Sequence, residues 1–226
     1  MKFILLVFLV PVALFASDFS DDFESFNTGD DISSSANWLN AANEGNFIVE
    51  AEGSNKVAES SWNGFDSILY ASTGGYSDGS VSADVKVSGS GAVFGLFARA
   101  HVLNGGYAGG IAPIAPSLGI TYIAYTPLSG EPVILQQNYI SLVANTWYSV
   151  SFEVTGLSPV SLSVSIDRSI TSEFQDNVYN LDAGFNGVVC GYESTESMFT
   201  FDNYVVDDFS TSLERVSFGS IKALFR

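Results

Sequence analysis

The residues whose types and spacing best suit ligand binding lie in and around one predicted strand, Ala92 to His101. On a straight strand Arg99 and His101 share a face, because alternate side chains point the same way. A charged side chain beside an imidazole favours a face that contacts solvent or a ligand, and sugar sites combine such polar groups with aromatic rings. The predicted ligand-binding residues are Arg99, His101, Tyr107, Tyr122, Tyr125 and Trp62.

These aromatic residues are expected to reach that face from three directions. Tyr107 follows the turn at 104–106 and would lie on the hairpin partner of the strand. Tyr122 and Tyr125 lie on the next predicted strand, and Trp62 lies in a loop that could reach the rim. An alternative stays open at this point, namely a solvated sheet face on which Arg99 pairs with an acidic side chain.

Motifs for catalysis are missing from the sequence. Glycoside hydrolysis needs two carboxyl groups on either side of one bond, and no strand carries a Glu-x-Asp-x-x-Glu array. Glu193 and Glu196 are three residues apart, which would place them on opposite faces of a strand. There is one histidine, no Gly-x-Ser-x-Gly and no zinc spacing. The sequence therefore favours a non-catalytic protein, with Asp/Glu chemistry left open.

The elements that must position these residues are short strands. Residues 80–87 and 160–166 alternate apolar and polar side chains, as half-exposed antiparallel strands do. Trp147 shares a face with Ser149, Ser151 and Glu153, opposite an apolar face. Turns rich in Gly, Ser and Asn separate roughly a dozen such segments, and no helix is predicted before the tail. This pattern predicts an all-β, antiparallel two-sheet β-sandwich.

Composition excludes several classes of protein. The formal charge of −17 repels phosphate backbones, and no basic stripe is present, so nucleic acid is not an expected partner. The 18 Phe, 10 Tyr and 3 Trp residues supply a substantial core. Cys190 is the only cysteine, so no internal disulfide forms, and its apolar surroundings indicate a packing role.

The two ends of the chain differ from the middle. Residues 1–17 carry one lysine, an apolar run and then small residues, which predicts a signal peptide and a secreted, extracellular or cell-surface protein without a transmembrane segment. Residues 18–209 form the predicted domain. Residues 210–226 are a linker and a basic amphipathic tail, for which surface attachment and a frayed terminal helix are both open.

The order of several short motifs resembles one family. These motifs are the Asp-Asp-Phe opening at 21–23, Gly-Leu-Phe-Ala-Arg at 95–99, Asn-Thr-Trp-Tyr at 145–148 and Phe-Asp-Asn at 201–203. In this order they resemble the LamG-like, concanavalin A-like jelly rolls of secreted bacterial proteins. The acidic, aromatic opening and the similar close also predict that the two ends of the domain meet.

The resemblance implies a secreted lectin-like module that binds a glycan or polysaccharide. Two alternatives remain, namely a glycoside hydrolase or lyase with atypical acids and a structural surface protein. In related jelly rolls a calcium ion often ties the N-terminal segment to the last strand. The matching positions here are Asp22, Glu24 and Asp202, whose carboxylates are ligands that calcium accepts. A structural Ca²⁺ is therefore an expectation of the resemblance, and capping of turns is the alternative role of these acids.

Overall fold

The computed structural model describes residues 19–40, 47–61, 67–72, 76–89, 91–101, 105–127, 131–192 and 198–209. The predicted signal peptide, the C-terminal tail, Trp62, Glu193 and Glu196 lie outside these ranges. No helix in the described part of the chain is long and apolar enough to span a membrane.

Short strands make up the regular secondary structure of the described ranges, apart from one 3₁₀ turn at Ile32–Ser34. The strands are β1 (Phe19–Asp21), β2 (Trp38–Asn40), β3 (Phe47–Glu52), β4 (Asn55–Ser61), β5 (Ser67–Ala71), β6 (Gly79–Ser88), β7 (Ala92–His101), β8 (Gly105–Ala115), β9 (Leu118–Thr126), β10 (Val133–Ile140), β11 (Trp147–Thr155), β12 (Val160–Ile166), β13 (Ser169–Asp176), β14 (Phe185–Tyr192) and β15 (Met198–Asp208).

Within the described ranges these strands form two antiparallel sheets. The first sheet has the order β13-β12-β11-β6-β15-β4-β3, and β1 also pairs with β15. The second sheet has the order β10-β9-β8-β7-β14-β5-β2. Strands that are neighbours in space are often distant in sequence, as β6, β11 and β15 are. The predicted all-β, two-sheet antiparallel sandwich is confirmed.

The core lies between the sheets and follows the predicted alternation. Val81, Ala83, Val85 and Val87 of β6 are buried in it, whereas the residues between them are partly exposed. The two sheets approach closely at Gly109 of β8, where a Cβ atom would lie 2.2 Å from the Phe152 ring of β11. A side chain larger than hydrogen at this position would push the sheets apart.

The two ends of the domain meet, as the sequence predicts. β1 runs antiparallel to β15, with Phe19 opposite Val206 and Asp21 opposite Tyr204. The Trp38 indole donates a hydrogen bond from Nε1 to Asp21 Oδ2 over 2.8 Å. The first and last strands of the domain are therefore held together by backbone pairing and by a side chain from β2.

Local sequence patterns fail at two places. Pro113 and Pro116 favour a loop at residues 112–117, yet β8 continues to Ala115. The strand tolerates Pro113 because the pairing of β8 with β7 ends at Ile111, and the Pro113 carbonyl accepts a hydrogen bond from the Gly91 N–H over 3.2 Å on that side, so no ladder donor is required there. The Ser, Asn and Gly residues of 30–46 also favour a loop, whereas β2 forms within this segment by pairing with β5.

Candidate functional site

Arg99 does not lie on an outer face beside His101, so this part of the sequence-based site was wrong. The pairing of β7 with β8 shifts between Ala98 and His101, and Arg99 has a φ of +50°, both of which mark a β-bulge. The bulge breaks the alternation, and the Arg99 side chain is buried with 1% of its surface exposed. Its guanidinium donates hydrogen bonds to the carbonyl oxygens of Ser77, Leu181 and Gly156.

The predicted tyrosines do not share a face either. Tyr107 is buried in the core between the sheets, where its hydroxyl donates a hydrogen bond to Asp176. Tyr125 of β9 is directly opposite Tyr107 of β8. Its ring stacks on that of Tyr179, with the two ring centres 3.7 Å apart. Tyr122 belongs to a separate apolar cluster with Phe97, on the other face of the second sheet. The structure therefore brings Tyr107 and Tyr125 together, with Arg99 and Tyr107 both hydrogen-bonded to Leu181, and places Tyr122 on the opposite face. Among the predicted ligand-binding residues that the structure describes, only His101 is exposed.

A cavity on the outer face of the first sheet brings together a different set of residues. Its volume is about 290 Å³, close to the lower end of the range for small-molecule sites. One wall is the half-buried indole of Trp147, and the rest of the lining is mostly carboxylate and amide groups. The lining residues are Glu52, Asn55, Val57, Asp84, Trp147, Asp202 and Asn203.

Three neighbouring strands position the polar part of this cavity. On β6, alternation places Asp84 and Lys86 on the face opposite the core. The register sets Asp84 directly opposite Asp202 of β15, and Lys86 directly opposite Trp147 of β11. The aromatic ring and the two carboxylates are thus brought to one surface by strand pairing between residues that are far apart in sequence.

Hydrogen bonds fix the carboxylates of the cavity. Asn55 donates from Nδ2 to Asp202 Oδ2 over 2.6 Å, and Asn203 donates from Nδ2 to Asp84 Oδ2 over 3.0 Å. The backbone N–H of Asn203 also donates to Asp202 Oδ1 over 2.7 Å. These bonds hold both aspartates in place before any ligand arrives.

The position of Asn203 depends on a second β-bulge. The pairing of β15 with β6 shifts between Asp202 and Val205, and Asn203 has a φ of +51°. Asparagine tolerates this left-handed conformation better than most residues. The bulge turns the Asn203 amide towards Asp84, where a regular strand would have sent it to the core face.

Trp147 is held by its neighbours on the same face. The Lys86 ammonium lies 5.1 Å from the centre of the Trp147 ring and forms an ion pair with Glu52. The indole Nε1 donates a long hydrogen bond of 3.4 Å to Glu52 Oε1. The ring therefore stands against a lysine and a glutamate, and both polar groups limit its rotation.

The two aspartates differ in their electrostatic environment. Burial raises the pKa of Asp202, the charges of Asp84 and Asp22 raise it further, and the hydrogen bonds from Asn203 and Asn55 oppose this rise. Asp202 is 5% exposed, whereas Asp84 is partly exposed. Placing two carboxylates side by side disfavours the second negative charge, and a hydrogen-bond donor or a cation beside them would favour it.

The predicted calcium ligands are not gathered around one point. No group of three or more His, Cys, Asp or Glu side chains in the described ranges is placed to hold a metal ion. Glu24 Oε1 accepts a hydrogen bond from the Lys56 N–H, and Asp22 Oδ1 accepts one from the Glu24 N–H. Both oxygens of Asp202 also accept bonds from asparagines. Calcium stays a prediction of the resemblance.

One signal in the sequence could have indicated the cavity. Trp147 lies on the polar face of its strand, among Ser149, Ser151 and Glu153, where packing does not require an indole. Asp84 and Asp202, which line the same cavity, are 118 residues apart in the sequence and form no local motif. Only the pairing of β6 with β15 shows that they are neighbours.

Comparisons with known proteins identify the fold. No protein-family model matches the chain, and no curated protein matches it. Among solved structures, the carbohydrate-binding module CBM66 from Bacillus subtilis matches with a TM-score of 0.56 and 17% identity, covering 76% of this chain and 96% of the module. A β-glucanase from Bacillus licheniformis matches with a TM-score of 0.54 and 12% identity, covering 85% and 98%.

A GH16 protein from Bacteroides ovatus, in complex with a product, matches with a TM-score of 0.53 and 12% identity, covering 83% of this chain and 99% of that one. At these identities the matches show the fold alone. The chain has a concanavalin A-like jelly roll, a fold used by carbohydrate-binding modules and by glycoside hydrolases. The narrower LamG-like assignment remains a prediction of the sequence.

Proposed function

We propose that this chain is a secreted, non-catalytic carbohydrate-binding module that binds a glycan in the Trp147 cavity. The observation that carries the proposal is the half-buried indole beside fixed amide and carboxylate groups in a cavity of about 290 Å³. Sugar rings have an apolar face and a rim of hydroxyl groups. An aromatic wall with hydrogen-bonding groups around it complements both features.

Each group in the cavity has a distinct role in this proposal. Trp147 packs against the apolar face of one sugar ring. Asp84 and Asp202 accept hydrogen bonds from sugar hydroxyls, since carboxylates form stronger hydrogen bonds than neutral acceptors. Asn55 and Asn203 hold these carboxylates at the required angle, so the site is preorganised.

Binding of a glycan library to the purified protein tests the proposal. We expect Trp147→Ala to weaken binding at least about tenfold, which corresponds to about 1.4 kcal/mol. Tyr139→Ala is the matched control, because Tyr139 is 70% exposed on β10 of the other sheet. Trp147→Phe keeps an aromatic face and should retain part of the affinity. Equal binding by the Trp147→Ala and Tyr139→Ala proteins would contradict the proposal, provided that both melt as the wild type does.

Glycoside hydrolysis is the second candidate, and one observation favours it. Asp84 and Asp202 stand opposite each other on one face, and their environments differ, as those of a nucleophile and a general acid do. Incubation of the same glycans with the protein, followed by measurement of new reducing ends, tests this activity. Hydrolysis that disappears in both Asp84→Asn and Asp202→Asn would replace the binding proposal by an enzymatic one.

Secretion rests on the sequence of residues 1–17 and needs its own test. We expect a bacterial host to export the full chain and to remove about the first 17 residues, which N-terminal sequencing of the exported protein would show. Retention of an intact N-terminus in the cytoplasm would contradict this part.

The tail at 210–226 is the candidate for surface attachment, and its deletion should release the protein into the medium if it has that role.

A further inference from the structure

The charges around the Trp147 cavity are not balanced. Glu52, Asp84 and Asp202 all line it. Lys86 is the neighbouring cation, and it already forms an ion pair with Glu52. Neither Asp84 nor Asp202 makes an ion pair with any residue in the described ranges. The cavity therefore carries two carboxylates whose negative charge the described protein does not neutralise.

Strand pairing forces these two carboxylates together. Asp84 and Asp202 are directly opposite residues of β6 and β15, and both line the same cavity. Like charges at opposite positions of neighbouring strands are unfavourable. Asn203 and Asn55 donate one side-chain hydrogen bond to each, but a neutral amide does not cancel a full charge. A cation placed between the two carboxylates would remove the repulsion.

The chain itself shows which kind of cation the surroundings of this cavity accept. The Lys86 ammonium lies 5.1 Å from the Trp147 ring centre while it is paired with the Glu52 carboxylate. An aromatic face and a carboxylate together are a recognised setting for ammonium groups. Glu52 and Trp147 both line the cavity. Trp147 lines the cavity together with Asp84 and Asp202, so an ammonium group bound there would meet the same kind of groups, an indole and carboxylates.

We propose that the cavity selects glycans with free amino groups, in which Asp84 and Asp202 bind the ammonium while Trp147 packs against the sugar ring. This inference rests on the proposed function, because it names the class of sugar that the same site would bind. Oligomers of glucosamine are the simplest ligands of this class. Neutral sugars lack the compensating charge, and uronic acids or sulfated sugars would add a further negative charge to the cavity.

A pair of ligands with the same sugar backbone, one with free amino groups and one with acetylated amino groups, provides the test. We would measure calorimetric affinities of the full-length protein for a glucosamine tetramer and for its fully N-acetylated counterpart. We expect the glucosamine tetramer to bind at least about tenfold more tightly, since each tenfold step is about 1.4 kcal/mol and a charge-assisted hydrogen bond supplies this much. A galacturonic acid tetramer should show no binding.

Two variants distinguish binding of the ammonium group at Asp84 from the general attraction of a cationic glycan to an acidic protein. Asp84→Asn should reduce the preference for the glucosamine tetramer to about threefold or less, whereas Glu173→Gln should leave it unchanged. Glu173 is an exposed acid on β13 of the same sheet, so this control removes the same charge from a different place. Equal effects of the two variants would overturn the inference.

Two further outcomes would also overturn it. If the acetylated tetramer binds as tightly as the glucosamine tetramer and Trp147→Ala abolishes both, the proposed function stands and the selection for amino groups fails. If neither tetramer nor any other glycan binds, both proposals fail. Calcium alone is the last probe, because calcium binding that Asp84→Asn abolishes would assign the two carboxylates to a metal rather than to an ammonium group.

Discussion

Arg99 and Asp176 are two buried charged residues that hold one end of the sandwich together. Arg99 donates hydrogen bonds to the carbonyl oxygens of Leu181 over 2.6 Å and Gly156 over 2.7 Å, and it forms an ion pair with Asp78 at 2.9 Å. Burial lowers the pKa of Arg99, whereas the Asp78 carboxylate opposes this effect. The alternation of β7 does not predict that Arg99 is buried and hydrogen-bonded, because the β-bulge at Arg99 reverses the direction of its side chain.

Asp176 connects the core to the chain that follows β13. Its carboxylate accepts hydrogen bonds from the Tyr107 hydroxyl and from the backbone N–H groups of Val178, Tyr179 and Asn180. Burial by itself raises the pKa of Asp176, but these four donors outweigh it and the pKa is lowered overall. The ionised form of this carboxyl therefore stabilises the folded state.

Asp176→Asn is expected to lower the free energy of unfolding by about 3 kcal/mol at neutral pH, because bonds to a charged acceptor are lost. A lowered pKa gives stability that is present above the unfolded value of about 3.9 and is lost as the pH falls through the folded value. The difference between wild type and Asp176→Asn should therefore shrink below about pH 4.

Urea denaturation of both proteins between about pH 3 and 7 would measure this dependence. Glu173→Gln is the control, since Glu173 is exposed on the same strand and should change stability by less than about 0.5 kcal/mol. A difference that is the same at every pH would show that the charge of Asp176 does not contribute.

At the scale of the strand, a β-bulge in β15 interrupts its pairing with β6 and shapes the cavity. Its bulge aims the Asn203 amide at Asp84, and its register brings Asp202 opposite Asp84. Two opposed carboxylates lower the stability of the folded state when both are ionised. Features that reduce stability yet are held by several hydrogen bonds are typical of functional sites.

Asp84→Asn is therefore expected to raise the free energy of unfolding by about 0.2–1 kcal/mol while it weakens ligand binding. The asparagine side chain can still accept the bond from Asn203. The gain should be seen where Asp202 is ionised and should vanish at low pH, because burial and the neighbouring carboxylates raise the pKa of Asp202 and it loses its charge as the pH falls. Thermal unfolding at about pH 7 and pH 4 would measure it, and a loss of stability at pH 7 would contradict the prediction.

Strands with a strict alternation were predictable from the sequence, and irregular ones were not. The pattern of residues 80–87 identified the core face of β6, because each apolar residue there needs burial and each polar one needs water. β13 was missed, since Ser169–Asp176 contains few apolar residues and forms by pairing with β12. Pro113 favours a loop, but it lies in the part of β8 that extends beyond the pairing with β7, where no ladder donor is required.

At the scale of the whole molecule, a cluster of three aromatic rings, Phe19, Trp38 and Tyr204, holds the first strand of the domain against the last one. The Phe19 ring of β1 meets Trp38 at 5.4 Å and Tyr204 of β15 at 5.8 Å, in edge-to-face contacts. Phe19 is only partly buried, so its contribution is smaller than that of a fully buried phenylalanine. These contacts keep β1 on the sheet, next to the point where β15 pairs with it.

Phe19→Ala is expected to lower the free energy of unfolding by about 2 kcal/mol, less than the roughly 3–5 kcal/mol for a fully buried ring. Tyr139→Ala, which removes an exposed ring, should change it by less than about 0.5 kcal/mol. Chemical denaturation of the three proteins would measure the difference. Equal stability of Phe19→Ala and Tyr139→Ala would show that closure does not depend on this aromatic group.

The sequence by itself determined the all-β sandwich, the buried faces of its regular strands and the meeting of its two ends. These properties follow from local alternation and composition, which act on every conformation of the chain. The tertiary structure alone decided that Arg99 is buried, that Tyr107 and Tyr122 lie on different faces, and that Asp84 faces Asp202. Bulges and strand order determine these outcomes, because a shift of one residue reverses the faces and only the paired strands fix the register.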